Sequence, residues 1–339
     1  MADGEFELID RYFRALGASR TDVVLGVGDD GAILRPPAAH DLIAVSDTLV
    51  EGVHFPVGSA PRSIGHRALA VNLSDVAAMG ATPAWALLSL TLPARDDRWL
   101  ADFAQGFAAL AARHEVALVG GDTTRGPLAI GVQVLGFVPQ GRGLRRAGGR
   151  PGDRIYVSGT PGDAAAGLEI VRDASSARDD TKRDDTTRDD TTRDDTKRDD
   201  HAREFLRARF EYPTPRLAFG AALRDVASAC IDVSDGLAGD LGKLAAASGC
   251  GARIDVDRLR PSAALSRYAP ERLREWMLAG GDDYELVFTV SAANRSRFEQ
   301  AAQEFEWQQI GELVVEPGVT LCEHGRRIDL PAASFDHFG

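Results

Sequence analysis

Cysteine is scarce in this chain, and its placement does no recognisable chemistry. Cys230, Cys250 and Cys322 are odd in number, far apart and without C-x-x-C spacing, which excludes a disulfide framework and a cysteine zinc site. No run of about eighteen apolar residues occurs, and the acidic start MADGEFELIDRYF has no uninterrupted apolar segment, so a soluble, cytoplasmic protein is expected. Basic charge is also short. The 39 Lys and Arg against 51 Asp and Glu leave a formal net charge of −12, which disfavours nucleic acid or an anionic membrane as partner and suits metal ions or a cationic ligand. His54 and His66 are not spaced as H-E-x-x-H, and G-x-S-x-G is absent, so zinc-protease and serine-hydrolase chemistry lack their motifs. GLAGDLGKL at 236–244 is no Walker A loop. The spacing before Gly242-Lys243 is one residue too long, and Leu244 stands where Ser or Thr is required.

What the chain does have is aspartate beside Gly or Ser, at the ends of apolar runs: GDDGA at 28–32, SDT at 46–48, NLSD at 72–75, GGDTTRG at 120–126, DVSDG at 232–236 and GGDDYE at 280–285. Taken singly, each Asp reads as a helix cap or turn residue. Repetition weakens that reading, because Asp30, Asp47, Asp75, Asp122 and Asp232 each fall beside a predicted strand end, where open α/β sheets bind ligands. Carboxylates gathered there need a counter-charge, and hard oxygen donors point to Mg2+ or Ca2+. Asp153 and Asp163, in GRPGD and GTPGD, read as turn residues. Gly26, Gly28 and Gly31 match G-x-G-x-x-G with Asp47 downstream, but Pro36-Pro37 leave too few residues for the helix a dinucleotide site needs. Arg145 and Arg146 fit a phosphate clamp or a solvated linker face equally well.

The 339 residues, 44% of them hydrophobic, suffice for two globular domains. Phe6, Ile9, Tyr12, Phe13 and Leu16 follow helical spacing; strands are predicted at VVLGV, LIAVSD, WALLSLTL, ALVGGD and LAIGVQVLGFV, with helices at 61–79 and 97–114. That alternation predicts an α/β domain over 1–140. A Gly- and Arg-rich joint at 141–153 leads to a second α/β domain over 154–339, with strands at DRIYVSG, ASACIDVSDG, ARIDV and YELVFTV and helices near 162–172, 214–228 and 236–248. Between Arg178 and Asp200 the unit RDD recurs five times at a period of five residues. Five residues advance about 140° past a full helical turn, so no face persists, and 175–202 is expected to be a disordered, solvated insertion. Against this, each Asp lies three or four residues before a base, the favourable order for helical ion pairs. The tract holds ten Asp against five Arg and two Lys, a net −3, which leaves −9 on the remainder.

The strings GEFELIDRYF, GVGDDGAIL, SDTLVEGVHF, ALAVNLSDVAAMGATPAW, VGGDTTRGPL, YVSGTPGDAAAGL, IDVSDGLAGDL, GGDDYEL and a terminal FDHF, in this order, closely resemble the bacterial thiamine-monophosphate kinase family, across nearly the whole chain. The family belongs to a superfamily with aminoimidazole ribonucleotide and selenophosphate synthetases. The resemblance implies a two-domain α/β fold whose N-terminal sheets pair in a homodimer, and ATP-dependent phosphorylation of thiamine monophosphate. It also implies several Mg2+ ions on Asp30, Ser46, Asp47, Asp75, Asp122, Asp232 and Asp235, with Thr48 beside them. ATP would meet Gly121, Asp122, Arg146 and Ser234, and thiamine would meet His54, Asp282 and Phe335. No side chain is assigned as general acid or base. The family commonly has Glu where Asp282 stands and Tyr where Phe335 stands. Two alternatives are another ATP-using synthetase of the superfamily and a non-catalytic Mg2+- or nucleotide-binding protein. The absence of a reactive Cys or Gly-rich segment near the N-terminus argues against the selenide version.

Overall fold

The computed structural model describes residues 5–179 and 193–329, which separate into two compact units: residues up to 144 with 214–225, and 145–213 with those from 226. The first opens with α1 (Glu5–Tyr12) and a small hairpin, β1 (Val23–Leu25) and β2 (Ile33–Leu34). Its main sheet follows: β3 (His40–Val50), α2 (Pro61–Ala78), β4 (Thr82–Leu92), α3 (Asp97–Arg113), β5 (Ala117–Arg125) and β6 (Ala129–Pro139). The strand order is β3-β6-β4-β5, with only the β4–β5 pair parallel. The parallel pair is what requires the crossover helix α3.

Local chemistry explains both helices. Pro61 opens α2, where its missing N–H costs nothing. Apolar and small residues then surround the axis, and the helix is buried on nearly every side against α3, β3 and β6. Asp96 caps α3 by accepting from Arg98 N and Trp99 N at 2.9 and 3.1 Å. Leu100, Phe103, Phe107 and Leu110 form its buried stripe at three- and four-residue spacing. On the other sheet face Trp85 meets Phe137 edge-on at 5.0 Å, and its Nε1–H donates to Asp22, held also by Arg20.

In the second unit β7 (Arg154–Ser158) is followed by α4 (Asp163–Asp179) and α5 (Arg193–Glu211). The RDD tract therefore departs from expectation at its margins, where 175–179 and 193–202 are helical; residues 180–192 lie outside the described residues. The stripe Ala202, Leu206 and Phe210, buried one turn apart, packs α5 on α4 and stabilises the helix. Residues 214–225 then return to the first unit. The helix expected in the second domain near 214–228 is α6 (Leu217–Leu223), which packs on α2, with Arg224 donating to Gly80 O at 3.1 Å. Sequence periodicity shows that a helix has an apolar face, not which domain covers it.

The remaining elements are β8 (Ala229–Val233), α7 (Leu237–Ala247), β9 (Gly251–Asp255), α8 (Ala263–Tyr268), α9 (Leu273–Ala279), β10 (Glu285–Val290), α10 (Arg295–Ala301), β11 (Trp307–Val314), β12 (Gly318–Glu323) and β13 (Arg326–Ile328). They complete a mixed sheet of order β13-β12-β9-β11-β7-β10-β8. One core cluster includes Ile155, Val157, Ile231, Leu241 and Leu244, and the rings of Tyr156, Phe288, Phe298 and Trp307 pack against one another elsewhere in the unit. No helix among the described residues is long and apolar enough to cross a membrane.

Candidate active site

In the first unit the GDDGA and GGDTT motifs line one cavity of about 600 Å³. Gly28, Asp29 and Gly31 face it from one side, Gly120, Gly121 and Asp122 from the start of the exposed half of β5, and Asp10, Phe13 and Arg14 from the N-terminal segment. Asp29, rather than Asp30, is among the lining residues; the two are linked because Asp30 N donates to Asp29 Oδ1 at 2.8 Å. Asp122 sits in register with Ser89 of β4, exposed, and its carboxylate makes no hydrogen bond or ion pair among the described residues.

Gly121 must be glycine for two reasons, a φ of 150° and a close neighbour. A Cβ there would lie 1.8 Å from Leu88 O, so β5 could not keep its place beside β4. Gly121→Ala is expected to cost at least about 3 kcal/mol, as overpacking does at its worst, and to lower the melting temperature with or without nucleotide. An unchanged melting temperature would refute this reading.

Strand alternation divides the SDT motif. Ser46 and Thr48 point to the exposed face of β3, and Gln133 Nε2 stands 3.5 Å from Ser46 Oγ. Asp47 points to the opposite face, in register with buried Val132, where α2 covers the sheet and carries Asp75 in its last turn. Ser46 and Asp47 side chains therefore cannot share one ion, although the Ser46 backbone could. His54 closes the turn after β3. Val50 N–H donates to its Nδ1 at 2.9 Å, which places the proton of the neutral ring on Nε2.

In the second unit the DVSDG and GGDDYE motifs fold against each other. Asp282 N donates to Ser234 O and Tyr284 N to Val233 O, both at 2.8 Å, and the Tyr284 hydroxyl donates to Asp282 Oδ1 at 3.1 Å. Asp282 and Tyr284 both hold left-handed backbone, with φ of 68° and 51°. For an aromatic residue this is uncommon and needs support from its surroundings. The next carboxylates supply it. Asp283, buried, accepts from Gly162 N at 2.8 Å, and buried Glu285 accepts from Arg209 at 2.8 Å and from Ser158. Burial pushes the Asp283 carboxyl well above the ordinary aspartate value, against the pull of the Gly162 amide and Arg209. Asp163 is raised likewise by burial while accepting from Ser262 and Thr160, so it belongs to this internal network instead of the turn expected for it.

Asp232 is buried at the end of β8, and Ser234 and Asp235 follow in the turn before α7. Their backbone is fixed by Asp240, whose Oδ2 accepts from Ser234 N and Asp235 N at 2.9 Å each. Lys243 Nζ donates to Asp235 at 2.5 Å and to Asp240 at 2.8 Å. Sequence reasoning missed Asp240 and Lys243, having read this segment as a failed Walker A loop and as a helix over 236–248; the signal was their three-residue spacing on the helix that DVSDG opens. The backbone carbonyls of Arg145 and Arg146 accept from Cys230 N and Ser248 Oγ, while both guanidinium groups are exposed. Phe335 lies outside the described residues.

Among the described residues, no group of three or more His, Cys, Asp or Glu side chains could hold a metal ion. The donors present are hard oxygens, several of them exposed, and Mg2+ ordinarily takes one or two carboxylates, several waters and substrate phosphate oxygens, so the residues fit that ion.

Residues 28–138 match the family described as AIR synthase related protein, N-terminal domain, and residues 150–322 match AIR synthase related protein, C-terminal domain. The chain is 44% identical to the thiamine-monophosphate kinase of Escherichia coli K12, over 100% of its own length and 99% of that protein's. The thiamine-monophosphate kinase structure from Stenotrophomonas maltophilia K279a superposes with a TM-score of 0.80 at 41% identity, covering 97% of this chain and 99% of that one. A structure of AaThiL complexed with AMPPCP and TMP matches with a TM-score of 0.73 at 29% identity, covering 99% and 97%. The chain belongs to the thiamine-monophosphate kinases of the AIR synthase related family.

Proposed function

We propose that the protein transfers the γ-phosphoryl group of ATP to thiamine monophosphate, giving thiamine diphosphate. The end-to-end likeness to thiamine-monophosphate kinases carries this reading, together with a related structure that holds AMPPCP and TMP. The acceptor is a phosphate monoester whose second pKa is about 6, so it is mostly dianionic at neutral pH and needs no strong base. The difficulty is bringing it to an anionic γ-phosphate. Mg2+, when bound, supplies neutralising charge to the phosphates. In the first unit Asp30, Asp47, Asp75 and Asp122, and in the second Asp232 and Asp235, are the carboxylates that would hold such ions; Gly121 in the first unit, and Ser234 and the exposed Arg146 in the second, would each offer contacts to nucleotide. The Nε2–H of His54 offers a donor on the thiamine side. Asp282, held by the Tyr284 hydroxyl, offers a carboxylate to the cationic thiazolium, as Phe335 offers an aromatic face.

The exposed side of β3, with Leu42 53% exposed beside Ala44, Ser46 and Thr48, supports pairing of two first-unit sheets in a homodimer. A cytoplasmic enzyme suits these soluble substrates. An ADP-release assay with thiamine monophosphate, thiamine and aminoimidazole-pathway substrates tests the function. Turnover is expected with thiamine monophosphate alone; tight ATP binding without ADP release would leave only a binding protein.

A further inference from the structure

We propose that Lys243 is a tethered cation that occupies Asp235 until a divalent ion arrives and then withdraws onto Asp240. The inference rests on the reading of Asp235 as a metal ligand. Lys243 Nζ stands 2.5 Å from Asp235 Oδ2 and 2.8 Å from Asp240 Oδ1, so one ammonium bridges two carboxylates of different standing. The Asp240 side chain is 1% exposed and bound on its other oxygen by two backbone amides; it is fixed. The Asp235 side chain is 34% exposed, and its only side-chain partner among the described residues is Lys243. Lys243 is itself 45% exposed on a flexible four-carbon stem.

These differences set the direction of exchange. When Asp235 Oδ2 turns to a metal, Lys243 keeps its contact with Asp240, so neither the ammonium nor the buried carboxylate loses a counter-charge. The turn itself stays in place, because the Ser234 and Asp235 amides are held by Asp240 and not by Lys243. Metal binding at Asp235 is thus a substitution of one cation for another, and the affinity of that position is set below what a bare carboxylate would give. Such a device limits charge repulsion in an ion-free protein whose formal net charge is already −12.

The test is direct divalent-ion binding, measured by titration calorimetry with Mg2+ and, as a paramagnetic reporter, by Mn2+ resonance, on the full chain without nucleotide. Lys243→Met is expected to tighten the Asp235-dependent binding constant about two- to fivefold, the worth of a partly exposed ion pair, and to steepen its dependence on monovalent salt, because the site becomes more negative. Lys243→Arg, which keeps a flexible cation at the same position, is expected to bind nearly as the unsubstituted chain does. Unchanged or weaker ion binding in Lys243→Met, with binding still lost in Asp235→Asn, would overturn the handover while leaving Asp235 a ligand. If Asp235→Asn does not alter ion binding at all, the ligand reading fails and the handover with it. Circular dichroism of Lys243→Met separates either result from unfolding.

Discussion

Replacing Asp122 by Asn is expected to lower turnover of thiamine monophosphate by roughly two to three orders of magnitude, the range seen when one preorganised electrostatic contact to reacting phosphate or oxyanion is lost. The fold should hardly notice. The Asp122 carboxylate is exposed at the cavity shared by GDDGA and GGDTT and has no hydrogen bond or ion pair among the described residues, so the amide leaves no partner stranded. Exposed changes of this kind usually stay within about 0.5 kcal/mol. Steady-state kinetics against ATP, Mg2+ and thiamine monophosphate should therefore show a collapse in kcat, while the thermal melt of the free protein superimposes on that of the unsubstituted chain. Because Asn keeps shape and one oxygen but not the charge, this variant isolates electrostatics from packing. Equal activity in the Asn variant would mean that Asp122 is only part of the cavity wall. Gly121→Ala, one residue away, behaves differently: there the fold should fail first, so lost activity would say nothing about nucleotide.

Much of this arrangement was legible in the chain, because strand and helix periodicity is a local property. The strands β3, β4, β5 and β6, and the helices α2 and α3, stand where alternation and three-to-four spacing place them. What escaped was set by long-range contact. The short β2 and β13 carry too few residues for a period, β11 spaces Trp307, Ile310 and Leu313 three apart instead of alternating and has a register shift near Gly311, and α6 shows an apolar face without showing that α2 would cover it. At the site, the motifs announced carboxylates but not their surroundings. GGDDYE reads as one acidic string, yet the fold separates it into Asp282 on a left-handed turn and Asp283 and Glu285 deep inside. Likewise SDT reads as one cluster, and the two-residue period of β3 sends Asp47 away from its neighbours. Alternation across a strand was available from sequence; Lys243 reaching back to Asp235 across a turn was not.

The largest loss of stability is expected from Arg209→Met. Arg209 is 12% exposed on α5, and its guanidinium donates to Glu285, whose side chain is fully buried, while Asp283 and Asp163 stand in the same charge network. Removing the cation leaves Glu285 to neutral donors such as the Ser158 hydroxyl. Breaking a buried pair from one side costs about 3–5 kcal/mol, which for a domain of this size lowers the melting temperature by roughly 10 °C. The loss should depend on pH. Burial raises Asp163 and Asp283 above the ordinary aspartate value, and Arg209 pulls both back, so its removal raises them further. A raised carboxyl pKa contributes stability below the unfolded value, about 4, and that contribution is lost as pH rises through the folded value. The deficit of Arg209→Met should thus be smaller near pH 4.5 than at pH 8. Adding Glu285→Gln should recover part of it, because the double variant no longer buries the charge that Arg209 answered, and the cycle reports their coupling directly. The same network braces the left-handed turn at Asp282, so the recovered double variant should still show a raised KM for thiamine monophosphate. A melt shared by both proteins at every pH would remove the buried pair from this account.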